Sequence, residues 1–278
     1  QYIPINFSNS TPNFGTLTQG TVNTNATGVS ENTLVNIDTD QIINLNEKQS
    51  HYLVNVMRSK IGDFVSLFIG RDGEWIAEIK SVERKVVSLN LIKCLRRQEE
   101  QTNLWLAFAP IKRGRIDLIA EKATELGVSR LIPVITARTQ TNRVNTARLR
   151  ANANEAAEQC NRMTVPEITE PVSLKKFLSA WSFERTLLVA DETGSGVPIL
   201  DVVRRSDGKK NTTFVLLVGP EGGFSTEELD ELGKLPFATK IDLGPRVLRT
   251  ETAVLAAISI IQAVAGDWQK DKTELFKD

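Results

Sequence analysis

Apolar and polar residues follow two different rhythms along this chain, and the change comes near residue 100. Between about 34 and 93 they alternate over short runs at 42–45, 64–69, 74–79 and 85–91, separated by Gly62-Asp63 and Arg71-Asp72-Gly73. Period-two alternation broken by an Asp-Gly turn signals hairpins, so this stretch predicts a small β-barrel. One helix interrupts it: residues 47–58 place Tyr52, Leu53, Val56 and Met57 on one face, with Arg58 at the end where a cation suits the helix dipole.

Beyond a polar linker at 96–101 the apolar runs become continuous and alternate with helical spacing. Strands are expected at 104–109, 131–135, 187–190, 214–218 and 241–243. Between them come a helix with a buried stripe of Ile116, Ile119, Ala120 and Ala123 stopped by Gly127, and one capped by Asn145 or Thr146 and ending near 161. A third starts after Ser225, which with Glu228 makes a capping box, and a mostly apolar one runs from about 253. Strand–helix alternation at this spacing means parallel strands with crossover helices, an α/β domain. Residues 1–30 carry no charged side chain and are crowded with Asn, Thr, Ser and Gly, so a flexible segment is expected there. The domain organisation reads 1–30 flexible, 31–98 barrel and 99–278 α/β, with 207–211 a mobile surface loop.

The punctuation between these runs is where chemistry is expected. The run 214–218 ends at Gly219-Pro220-Glu221-Gly222-Gly223, and 241–243 ends at Gly244-Pro245, each turn feeding a helix. A third polar turn, Asp191-Glu192-Thr193-Gly194-Ser195-Gly196, closes the run before it. In open α/β sheets ligands bind outside the carboxyl ends of strands, so these turns mark a small-molecule site. No Gly-Lys-Ser/Thr follows the glycines and their spacing is not a dinucleotide fingerprint, which disfavours a phosphate ligand.

Composition adds limits. Lys and Arg number 34 against 34 Asp and Glu, which argues against a nucleic-acid partner unless the charge is uneven. It is uneven: residues 111–162 hold ten Lys or Arg and five Asp or Glu, an excess that either steers a nucleic-acid backbone or is a solvated face. Cys94 and Cys160 stand far apart without metal-ligand spacing, so no disulfide scaffold or metal site is expected and a reduced cytoplasmic setting fits. No apolar run approaches a membrane span. His51 is the only histidine, and on a barrel-domain helix it is a poor candidate for catalysis.

Leu217-Val218-Gly219-Pro220-Glu221-Gly222-Gly223-Phe224, followed by Leu243-Gly244-Pro245-Arg246-Val247-Leu248-Arg249-Thr250-Glu251-Thr252-Ala253, closely resembles the cofactor loops of the RsmE family. These are SPOUT methyltransferases that modify N3 of a uracil in small-subunit (16S) ribosomal RNA. Lys122-Ala123-Thr124-Glu125-Leu126-Gly127-Val128, Glu155 to Arg162, and His51-Tyr52-Leu53 with Val56-Met57-Arg58 extend the resemblance over about 31–265. The first strand departs from it: 31–35 looks like the end of a strand that bears an arginine in the family.

The resemblance implies a PUA-like barrel before a SPOUT domain with a parallel sheet and a deep trefoil knot. It implies S-adenosyl-L-methionine held by Leu217, Gly219, Pro220, Glu221, Gly222, Gly223, Leu243, Gly244, Arg246, Val247, Leu248, Thr250, Thr252 and Ala253, with the turn after Ala190 completing the enclosure. RNA contacts would come from His51, Arg58, Lys112, Arg138, Arg143 and Arg162, and a homodimer would form on the apolar face of 253–264. Alternatives within reach of the same motifs are a SPOUT enzyme for another RNA base or transfer RNA, and an inactive ribosome-binding factor. Methylating uracil N3 requires loss of its proton, and a cation beside the flanking carbonyl oxygens would stabilise the charge; Arg249 and Arg162 are the candidates. For Arg249 a salt bridge to Glu251 or Asp242 competes with that role. The proton could pass to Glu251, Glu221 or water.

Overall fold

A computed structural model describes residues 4–6, 39–68, 73–83, 86–98, 103–112, 114–141, 143–181, 184–206 and 213–269. The chain separates into two compact units, one of residues 1–99 with 161–164 and one of 100–160 with 165–278.

The first unit is built on a five-stranded sheet in the order β1-β3-β4-β5-β2, from Pro4–Asn6, Phe64–Phe68, Glu74–Glu83, Val86–Arg96 and Ile42–Asn44. β1 runs parallel to β3 and the other pairs are antiparallel. The expected flexible start is thus corrected at residues 4–6, whose backbone joins the sheet edge; the rest of 1–30, and the strand end expected at 31–35, lie outside the described residues. Alternation does what the sequence required. Trp75, Ala77 and Ile79 of β4 face Val87, Leu89 and Leu91 of β5 in one core, and each Val, Leu or Ile side chain among them contributes about 2 kcal/mol relative to exposure. The pairing of β4 with β5 carries three register shifts, which bend the ribbon.

The helix expected over 47–58 is two structures. α1 (Glu47–His51) passes into a π-helical turn, Tyr52–Val56, in which Met57 N donates to Tyr52 O, five residues back, at 3.0 Å. The wider winding rotates the apolar face. Leu53 is fully buried with Val54 and Met57 beside the core, whereas Tyr52 and Val56, expected inside, are exposed.

The second unit holds an all-parallel sheet among its described residues. The order is β11 (Val197–Pro198), β13 (Ala238–Asp242), β10 (Arg185–Ala190), β12 (Thr213–Val218), β6 (Leu104–Phe108), β7 (Arg130–Ile135) and β8 (Glu167–Ile168), with β9 (Val172–Ser173) also on β7. Both faces are covered, which is why the strands read as unbroken apolar runs. Phe214, Leu216 and Val218 of β12 point to one layer, with helices α2 (Arg115–Glu125), α3 (Thr146–Gln159), α5 (Ile199–Ser206) and α7 (Thr250–Ala265). Val215 and Leu217 point to the other, with α4 (Leu174–Ser179) and α6 (Thr226–Gly233). No helix among the described residues is long and apolar enough to cross a membrane. Nor do three or more of their His, Cys, Asp or Glu side chains cluster as metal ligands.

Candidate active site

Strand pairing aligns three turns. β10 lies between β13 and β12, and its last residue, Ala190, stands opposite both Val218 and Ile241. The backbone following each strand end therefore opens on one place, a cleft of about 420 Å³ lined by 190–194, 218–223, 241–248, Thr250 and Ala253. That volume suits a small organic ligand.

The first turn is fixed by its own carboxylate. Asp191 is buried and accepts from Thr193 N at 2.9 Å and Ser195 Oγ at 2.8 Å, with Lys240 Nζ at 4.0 Å. Burial alone would raise the Asp191 carboxyl, but these hydrogen bonds and the lysine outweigh it and hold it below the ordinary carboxylate range. A folded-state pKa below the unfolded one stabilises the fold above the unfolded pKa, and that stability is lost as pH falls through the folded value. Asp191→Asn should therefore cost about 2 kcal/mol at pH 7, and the gap between the melting curves of the two proteins should begin to narrow below about pH 4 and close only once pH has fallen through the lowered folded-state value.

The second turn is tied on three sides. Thr250 Oγ1 donates to Gly219 O at 3.1 Å, Gly223 N to Pro220 O at 2.9 Å, and Arg138 Nη1 to Gly222 O at 2.8 Å. The capping box forms as the sequence required, with Glu228 N to Ser225 Oγ at 3.2 Å and Ser225 N to Glu228 Oε2 at 2.9 Å. Glu228 also accepts from Ala137 N through its other oxygen, at 2.7 Å, so the loop after β7 is fastened to the head of α6. Gly223 adopts φ +67°, and a Cβ there would collide with the Glu192 carboxylate. In the third turn Gly244 adopts φ +108° and its N donates to Asp242 Oδ1 at 3.0 Å.

Residues 98–262 match the RNA methyltransferase domain family and residues 45–92 its PUA domain. The Ribosomal RNA small subunit methyltransferase E of Rickettsia conorii is 34% identical over 212 residues, covering 76% of this chain and 85% of that protein. The chain belongs to the ribosomal RNA small subunit methyltransferase E family. The Bacillus subtilis member is 31% identical over 77% of this chain and 87% of its own length. Among solved structures, the Neisseria gonorrhoeae member bound to S-adenosyl methionine aligns with a TM-score of 0.72 at 26% identity, over 84% of this chain and 96% of that one. A putative methyltransferase from Legionella pneumophila in complex with the same cofactor gives 0.68 at 29%, over 82% and 93%.

Set against the family motifs, most of the expected ligand-binding residues line the one cleft: 219–223, Leu243, Gly244, 246–248, Thr250 and Ala253. Leu217 does not, because alternation along β12 sends it into the layer with α4 and α6. Thr252 is exposed on α7, outside the cleft. Arg249 also lies off the lining, exposed at the N-cap of α7 between two lining residues. Neither salt bridge considered for it forms among the described residues, since Glu251 is 3.6 Å from Arg115 Nε and Asp242 engages Gly244. Glu251 is mostly buried, and its Oε2 has no hydrogen-bond partner among the described residues. Arg162 is not in the cleft: Asn161 takes φ +55° after α3, and the chain at 161–164 packs with the first unit.

Lining residues that the sequence did not single out are Ala190, Val218, Ile241 and Asp242, and Arg115 was not expected beside Glu221 of the lining. Arg115 stands 3.7 Å from Glu221 and 3.6 Å from Glu251. A signal was present, because a cation in the first turn of a helix opposes the dipole and needs a carboxylate to compensate.

Among the described residues, half of the ten basic residues of 111–162 form internal ion pairs, Arg115 included. Lys122, Arg130, Arg148 and Arg150 form ion pairs with Glu121 and Glu125, Glu167, Asp117 and Glu170 respectively. Lys112 and Arg143 remain exposed without an ion pair among the described residues, as do His51 and Arg58 in the first unit.

Proposed function

We propose that this chain methylates N3 of a uridine in small-subunit ribosomal RNA, with S-adenosyl-L-methionine bound in the cleft of the three turns. Family membership makes it a ribosomal RNA methyltransferase. The observation that carries the finer reading is the convergence of the Gly194, Gly223 and Gly244 turns on one cleft at adjacent strand ends. The cleft fits this cofactor. Ala190, Val218, Ile241, Leu243, Leu248 and Ala253 offer apolar cover for a flat ring, and the turn backbones offer donors and acceptors for its edge.

The cofactor, when bound, supplies an electrophilic methyl group. The chain must hold the uracil so that N3 meets it in line, and positioning of this kind removes much of the barrier. Negative charge develops across N3 and its neighbouring carbonyls as the proton leaves; Arg249, which pairs with no carboxylate among the described residues, answers it. Both carboxylates considered for the proton lie beside Arg115, but only Glu221 lines the cleft, which favours Glu221 or a water beside it. RNA is held by Lys112 and Arg143 on the second unit and by His51, Arg58 and Arg162 on the first. The enzyme works in the cytoplasm as a homodimer. Half of the apolar residues expected to support that contact are inside the chain's own core, where Ala253, Val254, Ala257, Ile258 and Ile261 are buried; Leu255, Ala256, Ile260, Ala263 and Val264 are not.

The direct test is to incubate 16S ribosomal RNA from a strain lacking the gene with the protein and methyl-labelled cofactor, then map the product by mass. One N3-methyluridine is expected; label on another base or none would overturn the reading. RNA affinity should fall with salt, and Lys112→Ala or Arg143→Ala should each lower the slope of log affinity against log salt by about one. Arg138→Ala should differ from both by also weakening the cofactor, because its guanidinium supports Gly222. Equal cofactor affinity in all three variants would remove Arg138 from the turn's support.

A further inference from the structure

Four carboxylates line the cleft, and their surroundings separate them. Asp191 is saturated by Thr193, Ser195 and Lys240; Glu221 lies 3.7 Å from Arg115; Asp242 accepts from Gly244 N. Glu192 has no hydrogen bond or ion pair among the described residues, and its carboxylate rests on the face of Gly223 where any side chain would displace it. The other unengaged charge of the lining is Arg246, of opposite sign. A cleft with one free anion and one free cation is matched to a ligand end that is itself zwitterionic.

Resting on the cofactor reading above, we propose that Glu192 receives the α-ammonium of the methionine end of S-adenosylmethionine. The sulfonium is the competing cation in the same ligand. A carboxylate fixed beside it would stabilise a positive charge that disappears as the methyl is transferred, and so would oppose the reaction. The ammonium keeps its charge throughout, so a carboxylate there strengthens binding without raising the barrier. The absence of Cβ at Gly223 makes room for this group, which gives that glycine a second reason beyond its φ.

Three ligands separate the cases: S-adenosylmethionine carries both cations, S-adenosylhomocysteine only the ammonium, and 5′-methylthioadenosine neither. Calorimetry on the full chain should show Glu192→Gln weakening the first two by about tenfold each and leaving the third unchanged. Weakening of S-adenosylmethionine alone would place Glu192 at the sulfonium and overturn the proposal. Equal weakening of all three would make it a support for the turn, and no change in any would remove it from binding. Failure of the unmodified protein to bind any of them would instead overturn the cofactor reading.

Discussion

Alanine at Gly223 should weaken S-adenosylmethionine binding by about a hundredfold, whereas alanine at Gly222, its neighbour, should change it by less than about threefold. The two positions look equivalent in Gly219-Pro220-Glu221-Gly222-Gly223, where any glycine could be the one that needs φ above zero. In the folded chain only Gly223 of the pair occupies the left-handed region, at +67°. A side chain there costs about 1–2 kcal/mol in backbone strain. Its Cβ would also lie 2.6 Å from Glu192 Cδ, so either the turn or the carboxylate must move. Relaxing both means restoring both when the ligand binds, and about 3 kcal/mol is roughly a hundredfold in affinity. At Gly222 a Cβ would meet Arg138 Cβ at 3.7 Å and Cδ at 3.8 Å, ordinary contact distances. Calorimetric titration of the two variants checks this, with circular dichroism to show that both fold. Equal affinities would mean that the second turn does not shape the site.

That contrast shows how far the residue pattern could be read. Runs such as 214–218 betray a doubly covered strand because both faces of β12 meet apolar layers. Ser225 and Glu228 foretell their capping box down to the atoms, because that interaction is local. Long-range geometry is different. Leu217 belongs to a ligand-binding motif by position, yet its direction follows from a register of β12 against β10 and β6 that no single segment contains. The π turn at Tyr52–Val56 has the same apolar spacing as an ordinary helix and differs only in which carbonyl Met57 N finds.

Charge was the least legible property. The excess of basic residues over 111–162 suggested an open electrostatic surface, but Arg130, Arg148 and Arg150 answer Glu167, Asp117 and Glu170, two of them outside the counted stretch. A local count cannot see partners brought in by folding. Short elements escaped for a related reason: β8, β9 and β11 are two residues each and exist only because longer neighbours present free edges. The knot of the family's fold is likewise a property of threading, which leaves no mark on periodicity.

Methionine at Arg249 should reduce single-turnover methylation by on the order of a hundredfold while leaving cofactor affinity, melting temperature and oligomeric state near those of the unmodified protein. Each part of that expectation has its own ground. Arg249 is exposed at the N-cap of α7 with backbone angles of −66° and 155°, and its side chain makes no capping hydrogen bond, so its loss removes no internal support. What holds the segment is elsewhere: Thr250 Oγ1 on Gly219 O, and Ala253 N on the Arg249 carbonyl oxygen, which methionine retains. Leu248 and Thr250 line the cleft and Arg249 does not, so the cofactor should not register the change. The uracil should, because charge on its ring appears only as N3 gives up its proton, and a fixed guanidinium can meet two points of a flat edge where a thioether meets none. The effect should fall on the rate at saturating RNA, since an interaction made only in the transition state lowers turnover without changing ground-state binding. Lysine at the same position should recover part of the loss through charge alone. A near-native rate in Arg249→Met at saturating RNA, or a loss confined to RNA affinity, would move Arg249 from the reacting base to the RNA backbone.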